Sequence, residues 1–129
     1  MKADTREWVK YAEEDFQVAS TLIRQRSSCP ANSIGFHCQQ CVEKYFKARL
    51  VEAGRGFPKT HDLEGLLNLV VQVEPLLAAF QPVLGSLTAY AVQFRYPGHL
   101  ATRQDAKDAL KDCRAIRAEV RASLGLPRK

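Results

Sequence analysis

Several groups of residues in this sequence have the types and spacing to do chemistry. Phe94-Arg95-Tyr96-Pro97-Gly98-His99 puts an arginine, an aromatic ring and a histidine into one turn. Metal-free RNA cleavage needs a group that moves the 2′-hydroxyl proton and a cation that stabilises the crowded phosphate, and His99 with Arg95 has those types. A capping arginine and an exposed loop histidine would place the same residues without chemistry. His37, Gln40, Lys44 and Lys47 recur at intervals of three and four, a polar ladder on one helical face that could hold a phosphate or line a groove. The bland alternative is an ordinary i,i+4 pair between Glu43 and Lys47 with lysine heads in water. Cys38-x-x-Cys41 invites a redox or zinc reading, but no strand precedes it and no second Cys or His pair accompanies it, so small core thiols are expected. No metal site is expected.

A further group lies near the C-terminus. Arg103, Lys107, Lys111, Arg114, Arg117 and Arg121 form one stripe at helical spacing, while Asp105, Asp108, Asp112 and Glu119 fall on another side. Signs sorted in this way suit a phosphate-facing or acid-facing surface, although a solvated face sorted by chance would look the same. The formal charge of +5 comes entirely from this part. Met1–Phe94 is neutral, with ten bases and ten acids, and Arg95–Lys129 has nine bases and four acids. A local positive field attracts phosphates or an acidic protein.

The elements that must position these groups read as helices throughout. Asp4 to about Arg26 carries Trp8, Tyr11, Ala12, Phe16, Ala19, Leu22 and Ile23 at three-four spacing, with Asp4 and Glu7 as a cap and its reciprocal acid. A second helix is expected from Asn32 or Ser33, either side chain serving as cap, to about Ala53, with Ile34, Cys38, Cys41, Val42, Tyr45 and Phe46 turned inward. Thr60–Asp62 caps a short third helix through Leu63, Leu66, Leu67, Val70 and Val73. Pro82 opens a fourth through Leu84, Leu87, Tyr90, Ala91 and Phe94, stopped by Pro97-Gly98. Thr102 with Asp105 starts the last, which runs to Leu124 with Ala106, Ala109, Leu110, Cys113, Ile116 and Val120 on its apolar side. The expectation is an all-α, up-and-down bundle of four to five helices in one domain over 1–129.

Composition agrees with that architecture. The chain has 129 residues, 46% hydrophobic and 26% charged, which suits one domain with a core and argues against a repeat array or a disordered tail. Its 4 cysteines are too few for a disulfide scaffold. The start, MKADTREW, has no secretory signal character, no apolar run of about 18 residues is expected, and a cytoplasmic location without membrane contact follows. No P-loop or other glycine-rich phosphate cradle occurs, so ATP hydrolysis and a bound cofactor have no support.

Taken jointly, Phe36-His37-Cys38-Gln39-Gln40-Cys41-Val42-Glu43-Lys44, Lys47-Ala48, Phe57-Pro58-Lys59-Thr60-His61-Asp62-Leu63 and Arg95-Tyr96-Pro97 resemble the HEPN domain (higher eukaryotes and prokaryotes nucleotide-binding). The run Ala12 to Asp15 fits as well, and the likeness covers nearly the whole chain in order. It implies a compact helical bundle that forms a homodimer. It also implies a partner, a separate minimal nucleotidyltransferase in a toxin–antitoxin-like module, and binding of nucleotide or RNA. Lys44, Lys47 and Arg95 would supply charge, with Tyr96 stacking on a base. Some members are metal-independent ribonucleases with an Arg-x(4–6)-His motif. Here only three residues separate Arg95 from His99, so a ribonuclease using that pair stands as the alternative, and a protein adaptor without nucleotide binding as another.

Overall fold

The computed structural model describes Met1–Lys129 and contains helices, turns and loops without strands. In chain order come α1 (Ala3–Leu22), α2 (Ala31–Glu52), α3 (Leu63–Val70), a 3-10 helix (Pro75–Phe80), α4 (Gln81–Val92), a 3-10 turn (Gln93–Arg95) and α5 (Arg103–Ser123). The all-helical bundle expected from periodicity is present.

α2 is the centre because it is apolar on most sides. Ile34, Cys38, Cys41, Val42, Tyr45, Phe46, Ala48 and Leu50 are fully buried, a pattern that a surface helix with one apolar stripe does not show. α1 and α5 pack along α2 but scarcely touch each other, and α3 and α4 cover its remaining side. One continuous core results, joining Ala12 and Ala19 of α1, Leu66 and Leu67 of α3, Leu84 and Leu87 of α4, and Cys113, Ile116 and Val120 of α5.

Close approach of α4 to α2 depends on Gly35. A Cβ there would meet the Tyr90 ring at 2.1 Å, well inside van der Waals contact, so the aromatic ring lies on bare helix backbone. Tyr90 in turn stacks on Phe94 with centroids 4.7 Å apart, which carries the end of α4 onto the core.

Several boundaries differ from the expected ones. α1 ends at Leu22, four residues before Arg26, and Asp4 lies inside it with no side-chain cap at Lys2. Thr5 and the Lys2 amide instead donate to Glu52 at 2.8 and 3.0 Å, fastening the start of α1 to the end of α2. Tyr11, expected inward, is 41% exposed and donates to Glu7, while Val9 and Asp15 are buried. α2 starts at Ala31 with Pro30 at the cap position, so neither Asn32 nor Ser33 caps it. The caps of the later helices are as expected: Asp62 accepts from the Glu64 amide at 3.1 Å, and Thr102 with Asp105 forms a complete capping box.

The expectation of no long apolar run also needs correction. Pro75–Arg95 is, by length and composition, apolar enough to cross a membrane. Pro75–Phe94 carries no Asp, Glu, Lys or Arg, its polar side chains being those of Gln, Ser, Thr and Tyr. In this fold the segment forms three helical pieces, with Leu77, Leu84, Leu87 and Tyr90 turned into the core.

Candidate functional site

The corner after α4 is built by a helix that cannot continue. Pro97 forbids a further turn, Tyr96 is extended, and Gly98 takes φ +91°, a left-handed conformation that glycine adopts without steric cost. One side chain then locks the corner against the start of α2. Asn32 Nδ2 donates to the Phe94 carbonyl at 3.1 Å and to the His99 carbonyl at 2.8 Å, and Asn32 Oδ1 accepts from the Ala101 amide at 2.7 Å. All three bonds span more than sixty residues of sequence.

The locked corner faces outward. Tyr96 is 67% exposed and Leu100 86%. The Arg95 guanidinium lies 5.3 Å from the Phe36 ring centroid and meets no carboxylate. Ala91, Val92, Arg95 and Tyr96 surround a shallow hollow of about 380 Å³. Cation, aromatic face and imidazole are thus brought to one exposed corner, with Pro97 and Gly98 separating Arg95 from His99 outside any helix. The arrangement offers charge and stacking to an anionic aromatic ligand, and His99 is exposed on the turn that follows.

The α2 ladder is organised differently. Asp15, buried on α1, accepts from Lys44 at 2.6 Å and pairs with His37 Nδ1 at 2.7 Å. Glu43, 4% exposed, pairs with Lys47 at 3.0 Å and His61 Nδ1 at 2.8 Å, and accepts from Gln39 at 3.0 Å. Lys47 is itself buried, 5.5 Å from the centroids of both Trp8 and Phe57. Of the four ladder residues, only Gln40 makes no side-chain hydrogen bond. The ladder's cations therefore meet carboxylates of the same chain, tying α1 and the loop before α3 to α2. Burying such charges is tolerable because each is paired and hydrogen-bonded.

Asp15 is the hub that sequence reasoning missed, whereas the Glu43–Lys47 pair is the i,i+4 pair read from the sequence. The signal was available for Asp15: it lies three residues after Ala12 and four before Ala19, an acid on the apolar face of α1.

The cationic stripe of α5 is also divided. Arg117, 8% exposed, makes a two-pronged contact with Glu13, Nε to Oε2 at 2.7 Å and Nη2 to Oε1 at 2.6 Å. Arg121 donates to the Tyr45 hydroxyl at 3.1 Å and to the Pro127 carbonyl at 2.6 Å. Arg103 donates to the Ile23 and Gln25 carbonyls. An outward ridge of six cations is therefore not what the fold presents, whereas Lys107, Lys111 and Arg114 remain exposed. Burial opposes the Glu13 charge, but hydrogen bonds from Arg117 and Tyr45 outweigh it and hold this carboxyl below its ordinary value.

Cys38, Cys41 and Cys113 are fully buried. The Cys38 thiol is pushed far up by its hydrogen bond to Cys113 and by burial, which leaves it protonated and unreactive.

A five-helix domain with an exposed Arg-Tyr-Pro corner pinned to its central helix describes a class of small α-helical proteins rather than a particular activity. The family model described as the HEPN domain matches residues 5–123, and the chain belongs to that family. It is similar to a Methanocaldococcus jannaschii protein named "Putative toxin MJ1304", with 31% identity over 126 residues covering 84% of this chain and 80% of that protein. No solved structure matches the chain significantly.

Proposed function

We propose that this HEPN protein is a toxin-like, phosphate-binding assembly module. It binds a nucleotide or RNA at the Arg95–Tyr96 corner and works with a minimal nucleotidyltransferase. The observation that carries the reading is the corner itself, where Arg95, Tyr96 and His99 are exposed on a backbone held by the three Asn32 hydrogen bonds. A rigid mount with free functional ends is what a binding site needs, since little freedom is lost when the ligand arrives. His37, Lys44 and Lys47 serve the fold through their ties to Asp15 and Glu43, and Gln40 makes no such tie. The name of the archaeal relative supports the toxin-like role. Val92 and Leu100, apolar and exposed beside Arg95, support self-association of two copies at the same corner.

The test is incubation of purified protein with labelled single-stranded RNA in EDTA. The expected result is retarded, intact RNA, with affinity lowered about tenfold in Arg95→Ala, which corresponds to about 1.4 kcal/mol. Cleavage abolished by His99→Ala would replace the binding module with a metal-independent endoribonuclease. Absence of both binding and cleavage would leave a protein adaptor. Copurification with a minimal nucleotidyltransferase encoded in the adjacent reading frame tests the partnership.

A further inference from the structure

α1 and α5 both lie on α2 without closing on each other, and the gap between them is a cleft of about 650 Å³. Its α1 wall consists of Glu13, Phe16, Gln17, Ser20 and Thr21, one face at three-four spacing, continued by Arg24 in the turn after α1. Its α5 wall carries Arg114 and Arg117, and Arg128 and Lys129 close the end.

Five cations therefore line the cleft with one carboxylate, Glu13, whose charge is already held by Arg117 and Arg121. Arg128 pairs with Glu119. Arg24, Arg114 and Lys129 form no salt bridge, so uncompensated positive charge faces the gap. Neutral donors stand among these cations: the Gln17 amide and the Thr21 hydroxyl. Ser20 Oγ is shielded from water and has no hydrogen-bond partner.

We propose that this α1–α5 cleft is a second anion site, one that takes a run of phosphates, either the backbone of single-stranded RNA or the polyphosphate of a nucleotide. Phe16 is the only apolar lining residue, so a folded acidic protein would bury almost no apolar surface there, whereas phosphate oxygens match a set of guanidinium, hydroxyl and amide donors. Recognition is indifferent to base identity. The one aromatic ring on the wall, Phe16, is covered by the Arg117 guanidinium 4.2 Å from its centroid and is not free to stack. This site lies on different elements from the corner.

The experiment titrates fluorescein-labelled 12-mers of U and of A, with unlabelled ATP and tripolyphosphate as competitors, against the full chain at several salt concentrations. Arg24→Gln/Arg114→Gln is compared with Lys107→Gln/Lys111→Gln, an equal loss of charge on α5 outside the cleft. Arg24 and Arg114 are exposed and their side chains make no hydrogen bonds, so the first variant keeps its fold, as unchanged circular dichroism and melting will verify. The expected result is equal affinity for U and A, binding weakened at least tenfold in the cleft variant, and less than twofold in the control. The slope of log affinity against log salt falls by about 1.4 in magnitude, near 0.7 per cation lost on a single strand. Competition by ATP and tripolyphosphate at equal concentration of phosphate identifies a nucleotide polyphosphate, and competition only by RNA identifies the backbone.

The proposal is overturned if the cleft variant binds like wild type, if the control loses as much, or if polyglutamate competes as well as RNA. Arg95→Ala, measured in parallel, keeps the two sites apart. Loss there with an intact cleft response refutes nothing here, and loss there alone overturns the cleft.

Discussion

Gly35 is the position where a single methyl group best tests how the corner is supported. Glycine inside a helix costs about 1 kcal/mol relative to alanine, so Gly35→Ala would stabilise α2 if nothing lay against it. In the structure the added carbon falls 2.1 Å from Tyr90 Cδ1 and Cε1, and 2.4 Å from Cζ. Carbon atoms settle about 3.5–4.0 Å apart, so the ring must retreat by well over an ångström. Tyr90, only 5% exposed, cannot retreat without losing its seat and its stack on Phe94. Ejecting a buried ring costs about 3–5 kcal/mol. Against the gain of about 1 kcal/mol in helix propensity, a net loss of about 2–4 kcal/mol follows. For a chain of this length that lowers the melting midpoint by about 8–15 °C.

The measurement is thermal unfolding followed by circular dichroism at 222 nm, with Tyr90→Ala and the double variant as controls. In the Tyr90→Ala background the ring is gone, and Gly35→Ala becomes stabilising by about 1 kcal/mol. The reasoning fails if Gly35→Ala melts at or above wild type, or if its penalty is the same with and without the ring.

Two further outcomes follow from the polar contacts. The Glu13 carboxyl titrates below its ordinary value of 4.5 in the fold. Its contribution is therefore fully present above pH 4.5 and is lost as pH falls through the lowered folded-state value. Melting midpoints should drop on acidification below that point, and Glu13→Gln should flatten this part of the profile, a result that an equal drop in the variant would contradict. Asn32→Ala removes three hydrogen bonds and should cost about 2 kcal/mol. Amide exchange at Ala101 should speed up well beyond the global change, while Asn32→Asp, which keeps only the acceptor, retains part of the protection.

How far the fold could be read from sequence depended on the range of the determining contact. Asp62 and the Thr102–Asp105 box act within three residues, and each was legible as a cap. The inward face of α2 was legible from period alone. Asn32 has the side chain of an N-cap but lies inside the first turn of α2, and its partners at Phe94, His99 and Ala101 are brought there only by the bundle. Asp15 turned His37 and Lys44 of the ladder into internal ties, because a cation's sequence spacing does not say which acid of another helix stands opposite, whereas the Glu43–Lys47 pair followed from i,i+4 spacing. The same reason divided the α5 stripe: Arg117 and Arg114 are three residues apart, yet only the first meets Glu13. The Arg95–Tyr96 corner was visible because Pro97-Gly98 must end a helix and the residues before it must emerge.

α2 contacts every other α-helix, whereas α1 and α5 share almost nothing directly. Peeling α2 away would leave only the small α3–α4 seam and strip α1 and α5 of their main packing partner, so partial melting of the bundle gains little entropy before most of its cohesion is gone. Amides in the middle of α2 will exchange only when the entire chain opens. A protease that clears this protein from a cell will find few intermediate forms to seize, and its rate of destruction will follow the overall folding equilibrium.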